Sequence, residues 1–122
     1  MINKHIQHCA SKEGFNETDL FGAYKIFFGT LVSESRLKII NLLRSGKKNV
    51  SEIMAELDLD QTVVSHDLAR LKQCGFVSVQ PEGKYRYYIL NDETIKPLMK
   101  LIELHMSQHC VHILRSIQME AK

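Results

Sequence analysis

The sequence predicts a mainly α-helical domain with one small β-hairpin, and two changes in periodicity carry that prediction. Apolar residues recur at intervals of three and four between Asp19 and Gly75, and they alternate with polar residues over residues 76–90. Helical spacing then returns over residues 94–117. The 122 residues are 44% hydrophobic and 25% charged, which suits one domain over residues 1–122 with a single core.

The composition narrows the class of protein. The net charge is only +2, so a nucleic-acid partner would need the positive charge to be concentrated locally. The three cysteines are odd in number and form no CxxC pair, which argues against a disulfide framework and fits a reducing cytoplasm. No apolar run approaches the ~18 residues of a membrane span, and residues Met1–Ser11 lack the apolar region of a signal peptide. We therefore expect a cytoplasmic protein without a membrane partner.

The sequence carries no catalytic signature. It has no Ser-His-acid grouping, no paired catalytic carboxylates and no Gly-rich phosphate loop. We predict that the chain is not an enzyme and that it uses no organic cofactor.

Two helices are predicted in the first third of the chain. The segment Asp19–Leu31 has apolar side chains at helical spacing, and Ser33 offers an N-cap for a second helix over Arg36–Leu43. The preceding polar residues, 1–16, are interpreted as a flexible arm or a first helical turn.

The segment 50–75 is predicted to be a helix-turn-helix. Its first helix ends before a polar turn at Asp58–Asp60, and its second runs from about Gln61 to Cys74, where Gly75 would cap it. The second helix turns donors, acceptors and a cation outward, which are the groups that read base edges in a DNA major groove. These candidate DNA-binding residues are Gln61, Thr62, Ser65, His66 and Arg70.

The alternating segment 76–90 is predicted to be the hairpin, which directly after a recognition helix forms a wing. The turn is placed at Pro81–Lys84, and Gly83 permits the positive backbone angle of a tight turn. Lys84 and Arg86 lie at or beside its tip, where basic side chains can contact phosphates without reading sequence.

The last predicted helix, 94–117, has an apolar stripe longer than a small core could cover, so it needs a partner. A symmetric homodimer, in which this helix packs on its own copy and on the first helix, is the simplest answer. The stripe consists of Ile95, Leu98, Met99, Ile102, Met106, Ile113 and Ile117.

Three phrases of the sequence resemble the ArsR/SmtB family of small dimeric repressors. They are SESRLKIINLL over 33–43, VSEIMAELDLDQTVVSHDLARLKQCGFV over 50–77 and EGKYRYYIL over 82–90. The resemblance implies a fold of five helices in which the fourth is the recognition helix and a two-stranded wing precedes the fifth. It also implies a homodimer, joined through the first and last helices, that holds double-stranded operator DNA until a metal ion, metalloid or redox signal weakens binding.

The sensing residues of the family are only partly present. The cysteine pair that arsenic and cadmium sensors carry in the helix before the turn is absent from 50–57. The positions used by zinc, cobalt and nickel sensors fall on Asp92, Thr94, His105 and Gln108, of which Asp92 and His105 are suitable ligands.

The last helix nevertheless carries its own group of candidate ligands. At about 100° per residue, His105, His109 and His112 fall within a ~60° arc, with Cys110 off to one side. Three imidazoles suit zinc, nickel or cobalt, and packed or surface histidines without a metal are the alternative. The arm adds His5, His8 and Cys9, which could join His109 or Cys110 in a dimer.

Other interpretations use the same thiols or none. Cys9 and Cys110 could form a redox-responsive disulfide if their Cα atoms approach within about 7 Å. A DNA-binding regulator without a sensor is a further alternative. Cys74 is predicted to be an inert packed thiol, and Arg36 to serve packing or ion pairing as readily as phosphate contact.

Overall fold

The computed structural model describes residues 2–120, so Met1, Ala121 and Lys122 of the predicted 1–122 domain lie outside the described residues. The fold is mainly helical with one antiparallel hairpin, which confirms the predicted fold class. In chain order the elements are α1 (Lys4–Lys12), α2 (Glu17–Val32), α3 (Glu34–Leu43), α4 (Val50–Leu57), α5 (Gln61–Gln73), β1 (Val77–Glu82), β2 (Tyr85–Leu90), α6 (Ile95–His109) and α7 (Val111–Glu120).

Side-chain caps decide where the central helices begin. Asn16 accepts a hydrogen bond from the Asp19 amide while the Asp19 carboxylate accepts one from the Asn16 amide, both at 2.9 Å, so α2 begins before the predicted Asp19. Asn49 and Glu52 form the same reciprocal box at the start of α4. Such boxes satisfy two amides that have no partner inside the helix.

The turn of the helix-turn-helix depends on two aspartates. Asp58 ends α4 with φ 52°, in the left-handed region that aspartate tolerates better than most residues. Asp60 then accepts a hydrogen bond from the Val63 amide at 2.9 Å and caps α5. At the other end of α5, Gly75 has φ 76°, and this left-handed conformation ends the helix and leads into β1.

The wing extends further toward its tip than predicted. Glu82 pairs with Tyr85, so the turn contains only Gly83 (φ 61°) and Lys84, and Pro81 lies within β1 opposite Arg86. On its other edge, β2 pairs with Lys48 through two backbone hydrogen bonds at Tyr88. Because Tyr88 turns its backbone toward Lys48, alternate pairs such as Pro81 and Arg86 exchange no hydrogen bonds, and the missing amide of proline is harmless there.

One hydrophobic core lies where α3, α4, α5, the hairpin and the start of α6 meet. Its members are Ile39, Ile40, Leu43, Ile53, Val64, Leu68, Leu71, Phe76, Val77, Leu90, Ile95 and Met99. Phe27 of α2 packs against this core, with its ring centroid 5.1 Å from that of Phe76. The core fixes one face of α5 and leaves the opposite face in solvent.

Both ends of the chain differ from the prediction. The predicted arm contains the helix α1, capped by Asn3, whose side chain accepts a hydrogen bond from the His5 amide at 2.7 Å. The helix predicted over 94–117 is interrupted at Cys110, which ends α6 with φ -106° and ψ 0°. The apolar stripe leaves the core beyond Ile102, so the core of one chain no longer fixes the helix direction there. Within residues 2–120, no helix combines the length and apolar character needed to cross a bilayer.

Candidate nucleic-acid interface and effector residues

The exposed face of α5 displays four of the five predicted recognition side chains. Val64, Leu68 and Leu71 are buried in the core. Gln61, Thr62, Ser65 and His66 are all exposed. The burial of one face therefore presents short hydrogen-bonding groups together on the other, over the N-terminal half of the helix.

Arg70, the fifth predicted residue, is placed differently. It is half-buried, and its Nε donates to Thr30 Oγ1 at 3.0 Å, while Nη2 lies 3.5 Å from the carbonyl oxygen of Ile26. The predicted outward placement of Arg70 is therefore wrong, because α2 supplies oxygen acceptors that draw the guanidinium against the protein. Arg70 is thus engaged with α2 and does not belong to the exposed face formed by the other four residues.

A polar contact that the periodicity did not reveal attaches α5 to α2 and α3. Asp67 is buried, accepts a hydrogen bond from Ser35 Oγ and pairs with Arg36 Nη1 at 3.4 Å. Arg36 also donates from Nε to the Thr30 carbonyl at 2.7 Å and from Nη2 to the Gly29 carbonyl at 3.2 Å. Arg36 thus joins the end of α2 to the recognition helix and is engaged within the protein.

The wing presents its basic side chains to solvent. Lys84 and Arg86 are exposed, and the Lys84 ammonium lies 5.3 Å from the centroid of the Tyr85 ring. A shallow cleft of about 200 Å³ separates these residues from the start of α4 at Asn49–Ser51. A helix start beside two free cations can attract a phosphate group.

The neighbouring lysines are already paired. Lys47 contacts the Glu82 carboxylate and Lys48 lies 3.3 Å from that of Glu56. Among the ion pairs of residues 2–120, none includes Lys84 or Arg86. The free positive charge of this surface is therefore concentrated at the wing tip.

The candidate metal ligands form pairs in one chain. The rings of His105 and His109 lie on consecutive turns of α6 with centroids 4.6 Å apart, and both residues are exposed. In α1, the Cys9 thiol lies 3.9 Å from Nε2 of His5. Over the part of the chain that the structure describes, no three or more such side chains come together as a metal site.

The remaining candidate ligands are more scattered. His112 lies on α7, beyond the interruption at Cys110, so the one continuous helix predicted to carry it together with His105 and His109 is wrong. Cys110 is half-buried at that interruption, while Asp92 and His8 are exposed. The three cysteines are free thiols, and that of Cys74 lies 3.3 Å from Thr30 Oγ1 beside the core.

Helix α6 is also joined to the C-cap of α3 by an ion pair at the surface. Arg44 Nη2 lies 2.9 Å from a carboxylate oxygen of Glu103. The hydrogen bond from Arg44 lowers the pKa of Glu103 below its ordinary value, and the charge of Arg44 adds to that effect.

Comparison with known proteins identifies a family match in the centre of the chain. The model of the family described as bacterial regulatory protein, arsR family, matches residues 33–79. That segment contains α3, α4 and α5, with the proposed recognition face and the Arg36–Asp67 contact.

Two curated relatives and one solved structure match longer parts of the chain. The chain is 36% identical over 70 residues to an uncharacterized HTH-type transcriptional regulator of Methanocaldococcus jannaschii, covering 57% of this chain and 79% of the relative. It is 32% identical over 82 residues to a cadmium resistance transcriptional regulatory protein CadC homolog of Staphylococcus aureus, covering 66% and 68%.

The solved structure is a homodimeric winged helix-turn-helix DNA-binding domain of Mycobacterium bovis, a possible ArsR-family transcriptional regulator. It superposes with a TM-score of 0.72 at 27% identity, over 80% of this chain and 90% of that domain. From the sequence match and the shared fold, this chain belongs to the arsR family of winged helix-turn-helix transcriptional regulators and is not an enzyme.

Proposed function

We propose that the chain is a repressor that binds operator DNA as a homodimer and releases it when a transition metal ion binds to the last helices. DNA binding is supported by the exposed polar face of α5, which lies in the same domain as a wing whose Lys84 and Arg86 form none of the ion pairs among residues 2–120. Gln61, Thr62, Ser65 and His66 would read base edges, while Lys84 and Arg86 would contact phosphates.

The DNA-binding part is tested with wing and recognition variants. Arg86→Ala should weaken binding to all sequences and reduce the slope of log affinity against log salt by about 1. Gln61→Ala or Ser65→Ala should instead change the sequence preference. Lys100→Ala, an exposed lysine of α6, is the matched control and should bind DNA as the wild type does. An unchanged salt slope in Arg86→Ala would contradict the role of the wing.

The homodimer is supported by apolar surface that one chain leaves exposed. Phe21, Phe28 and Val32 of α2 are 56%, 58% and 80% exposed, and Leu101 and Leu104 of α6 are 63% and 54% exposed. Exposed apolar faces of this extent are typical of contact surfaces between proteins. A second copy of the chain would cover them symmetrically.

The metal proposal rests on the His105–His109 pair. Two imidazoles on consecutive turns provide two nitrogen ligands, and a second copy of α6 would supply two more for a tetrahedral site. Metal resistance in the name of the Staphylococcus aureus relative supports a metal effector of this kind. A bound ion would favour a dimer geometry in which the two recognition helices no longer match successive major grooves.

The metal proposal is tested by measuring DNA affinity with zinc, nickel and cobalt. A coupling of typically 1–3 kcal/mol predicts a roughly 5–150-fold loss of affinity for the wild type. His105→Ala combined with His109→Ala should abolish that loss and leave binding without metal unchanged. Gln108→Ala, an exposed neighbour on α6, should respond normally.

The same assay distinguishes the other modes of regulation. If none of the three ions alters the affinity, the metal proposal fails. An oxidant-dependent release that requires Cys9 and Cys110 would then identify a thiol-based regulator. No response to either treatment would identify a regulator without this kind of sensor.

A further inference from the structure

A second candidate effector site lies between α1, α2 and the C-terminal half of α5. An open cleft of about 640 Å³ separates these helices, which is within the usual range for small-molecule sites. Its walls are mainly apolar, with Ile6 from α1 and Leu20, Tyr24 and Phe27 from α2. The cleft contains none of the proposed recognition, wing or metal-binding residues.

A cation without a carboxylate partner lies at the wall of this cleft. Arg70 lines it, and the oxygen atoms that its guanidinium meets belong to the neutral groups of Thr30 and Ile26. None of the ion pairs among residues 2–120 includes Arg70. A half-buried guanidinium forms its strongest hydrogen bonds with an anion, and a carboxylate fits its planar pair of donors.

The recognition helix supplies the polar part of the cleft wall. Gln73 and Cys74 line it next to Arg70, and all three belong to the last turn of α5 or to its C-cap. A molecule in the cleft would therefore contact the C-terminal end of the recognition helix, beyond the exposed Gln61, Thr62, Ser65 and His66 of its N-terminal half. Such a molecule could change how α5 sits against α2.

We propose that this cleft binds a small amphipathic monocarboxylate, with its hydrocarbon chain along α1 and α2 and its carboxylate on Arg70. The apolar walls match the hydrocarbon part, and the unpaired cation matches the head group. This is a site separate from the metal-binding histidines, and it rests on the proposed DNA binding only for its regulatory effect.

The regulatory effect follows from competition for one side chain. A bound carboxylate would take hydrogen bonds that Arg70 now donates to Thr30 and the carbonyl of Ile26. That exchange removes a contact between α5 and α2 while the Arg36–Asp67 contact remains. Operator affinity would then depend on the ligand because the recognition helix is attached differently.

Binding is tested first with the full chain alone, without DNA or metal, using dodecanoate below its micelle concentration. Calorimetry should show one site per chain, and dodecanol, which has the same hydrocarbon chain and no charge, should bind about 10-fold more weakly. Arg70→Gln should reduce the affinity for dodecanoate to that for dodecanol. Lys72→Gln, an exposed cation of the same helix that does not line the cleft, is the matched control and should bind normally.

A second variant does not involve Arg70, whose loss could also alter packing. Ala23 lines the cleft and is exposed, so Ala23→Phe should fill the cleft and weaken dodecanoate binding about 10-fold while the helical circular dichroism stays unchanged. The proposal is overturned if the wild type does not bind dodecanoate, or if Arg70→Gln and Ala23→Phe both bind it as the wild type does. Binding restricted to a monomeric variant would also overturn it, because the second copy would then occupy the cleft.

Operator affinity is measured separately, with and without dodecanoate. If the wild type binds both DNA and dodecanoate, but dodecanoate does not change its operator affinity, the regulatory effect is overturned and the binding site itself stands. Wild type that binds dodecanoate but no DNA would overturn the proposed function instead.

Discussion

The helix-turn-helix region and the last two helices use apolar side chains in opposite ways. Among residues 2–120, the largest fully buried side chains all lie from Thr30 to Phe76. The last helices expose Leu101, Leu104, Met106, Val111, Ile113, Leu114, Ile117 and Met119. The helix-turn-helix is thus stabilised within one chain, whereas the last helices leave much apolar surface uncovered in that chain.

This difference suits the two tasks of the proposed function, DNA recognition and response to an effector. A recognition helix has to present its side chains in one geometry, and the core beneath α5 provides that. A region that shifts with a signal has to have more than one arrangement of similar free energy, and helices with few buried contacts are suited to that. Substitutions in the two regions should therefore have different consequences.

The largest expected effect compares two leucines. Leu71 is fully buried under α5, and Leu71→Ala should lower the free energy of unfolding by about 2–5 kcal/mol because it leaves a cavity. Leu101 is 63% exposed, so Leu101→Ala should lower the free energy of unfolding of a single chain by only about 0.5 kcal/mol or less. Urea denaturation at low protein concentration measures both.

The oligomeric state completes that comparison. Leu101→Ala should weaken self-association in sedimentation experiments, while Leu71→Ala should act through folding. Equal losses of unfolding free energy at a concentration where the protein is monomeric would contradict the division into two regions.

An intermediate effect is expected at the buried contact between Arg36 and Asp67, which attaches α5 to α3. Asp67→Asn keeps the volume of the side chain but removes its charge, and it should cost about 2 kcal/mol of stability because Arg36 loses its carboxylate. Operator affinity should also fall, since Asp67 holds α5 to α3. Glu34→Gln removes the exposed pair with Lys38, whose side chains are 85% and 53% exposed, and should change stability by about 0.5 kcal/mol or less. A similar small loss in both variants would show that the buried contact does not position α5.

The smallest effect concerns the Arg44–Glu103 pair between α3 and α6. The hydrogen bond from Arg44 lowers the pKa of Glu103, so its stabilisation is present above the ordinary pKa of a glutamate and is lost as the pH falls through the lowered value. Glu103→Gln should therefore be slightly less stable than the wild type at neutral pH and equally stable in acid. Urea denaturation at both pH values tests this, and an unchanged difference in acid would assign the effect to packing.

The sequence predicted the fold class because the apolar spacing changes with each type of element. Val64, Leu68 and Leu71 are buried as the helical period predicts, and residues 77–90 form the predicted hairpin. The burial of Asp67 could not be read in this way, because its partner Arg36 is distant in sequence and a charged residue ordinarily faces solvent.

The ends of the chain were harder to predict for a different reason. One residue outside helical angles, Cys110, leaves the apolar spacing on either side nearly intact, so the interruption is invisible to periodicity. The helix α1 has no buried residues among Lys4–Lys12, and its polar sequence gives little apolar pattern.

The contact of Arg36 with the carbonyl groups of Gly29 and Thr30 sets a limit on engineering. A fragment that begins at Ser33 would retain Arg36, Ser35 and Asp67, yet it would leave two donors of a half-buried guanidinium without their acceptors. Transplanting this DNA-binding element into another protein therefore requires α2 as well, starting at its cap Asn16. The smallest portable unit for DNA recognition is larger than the helix-turn-helix itself.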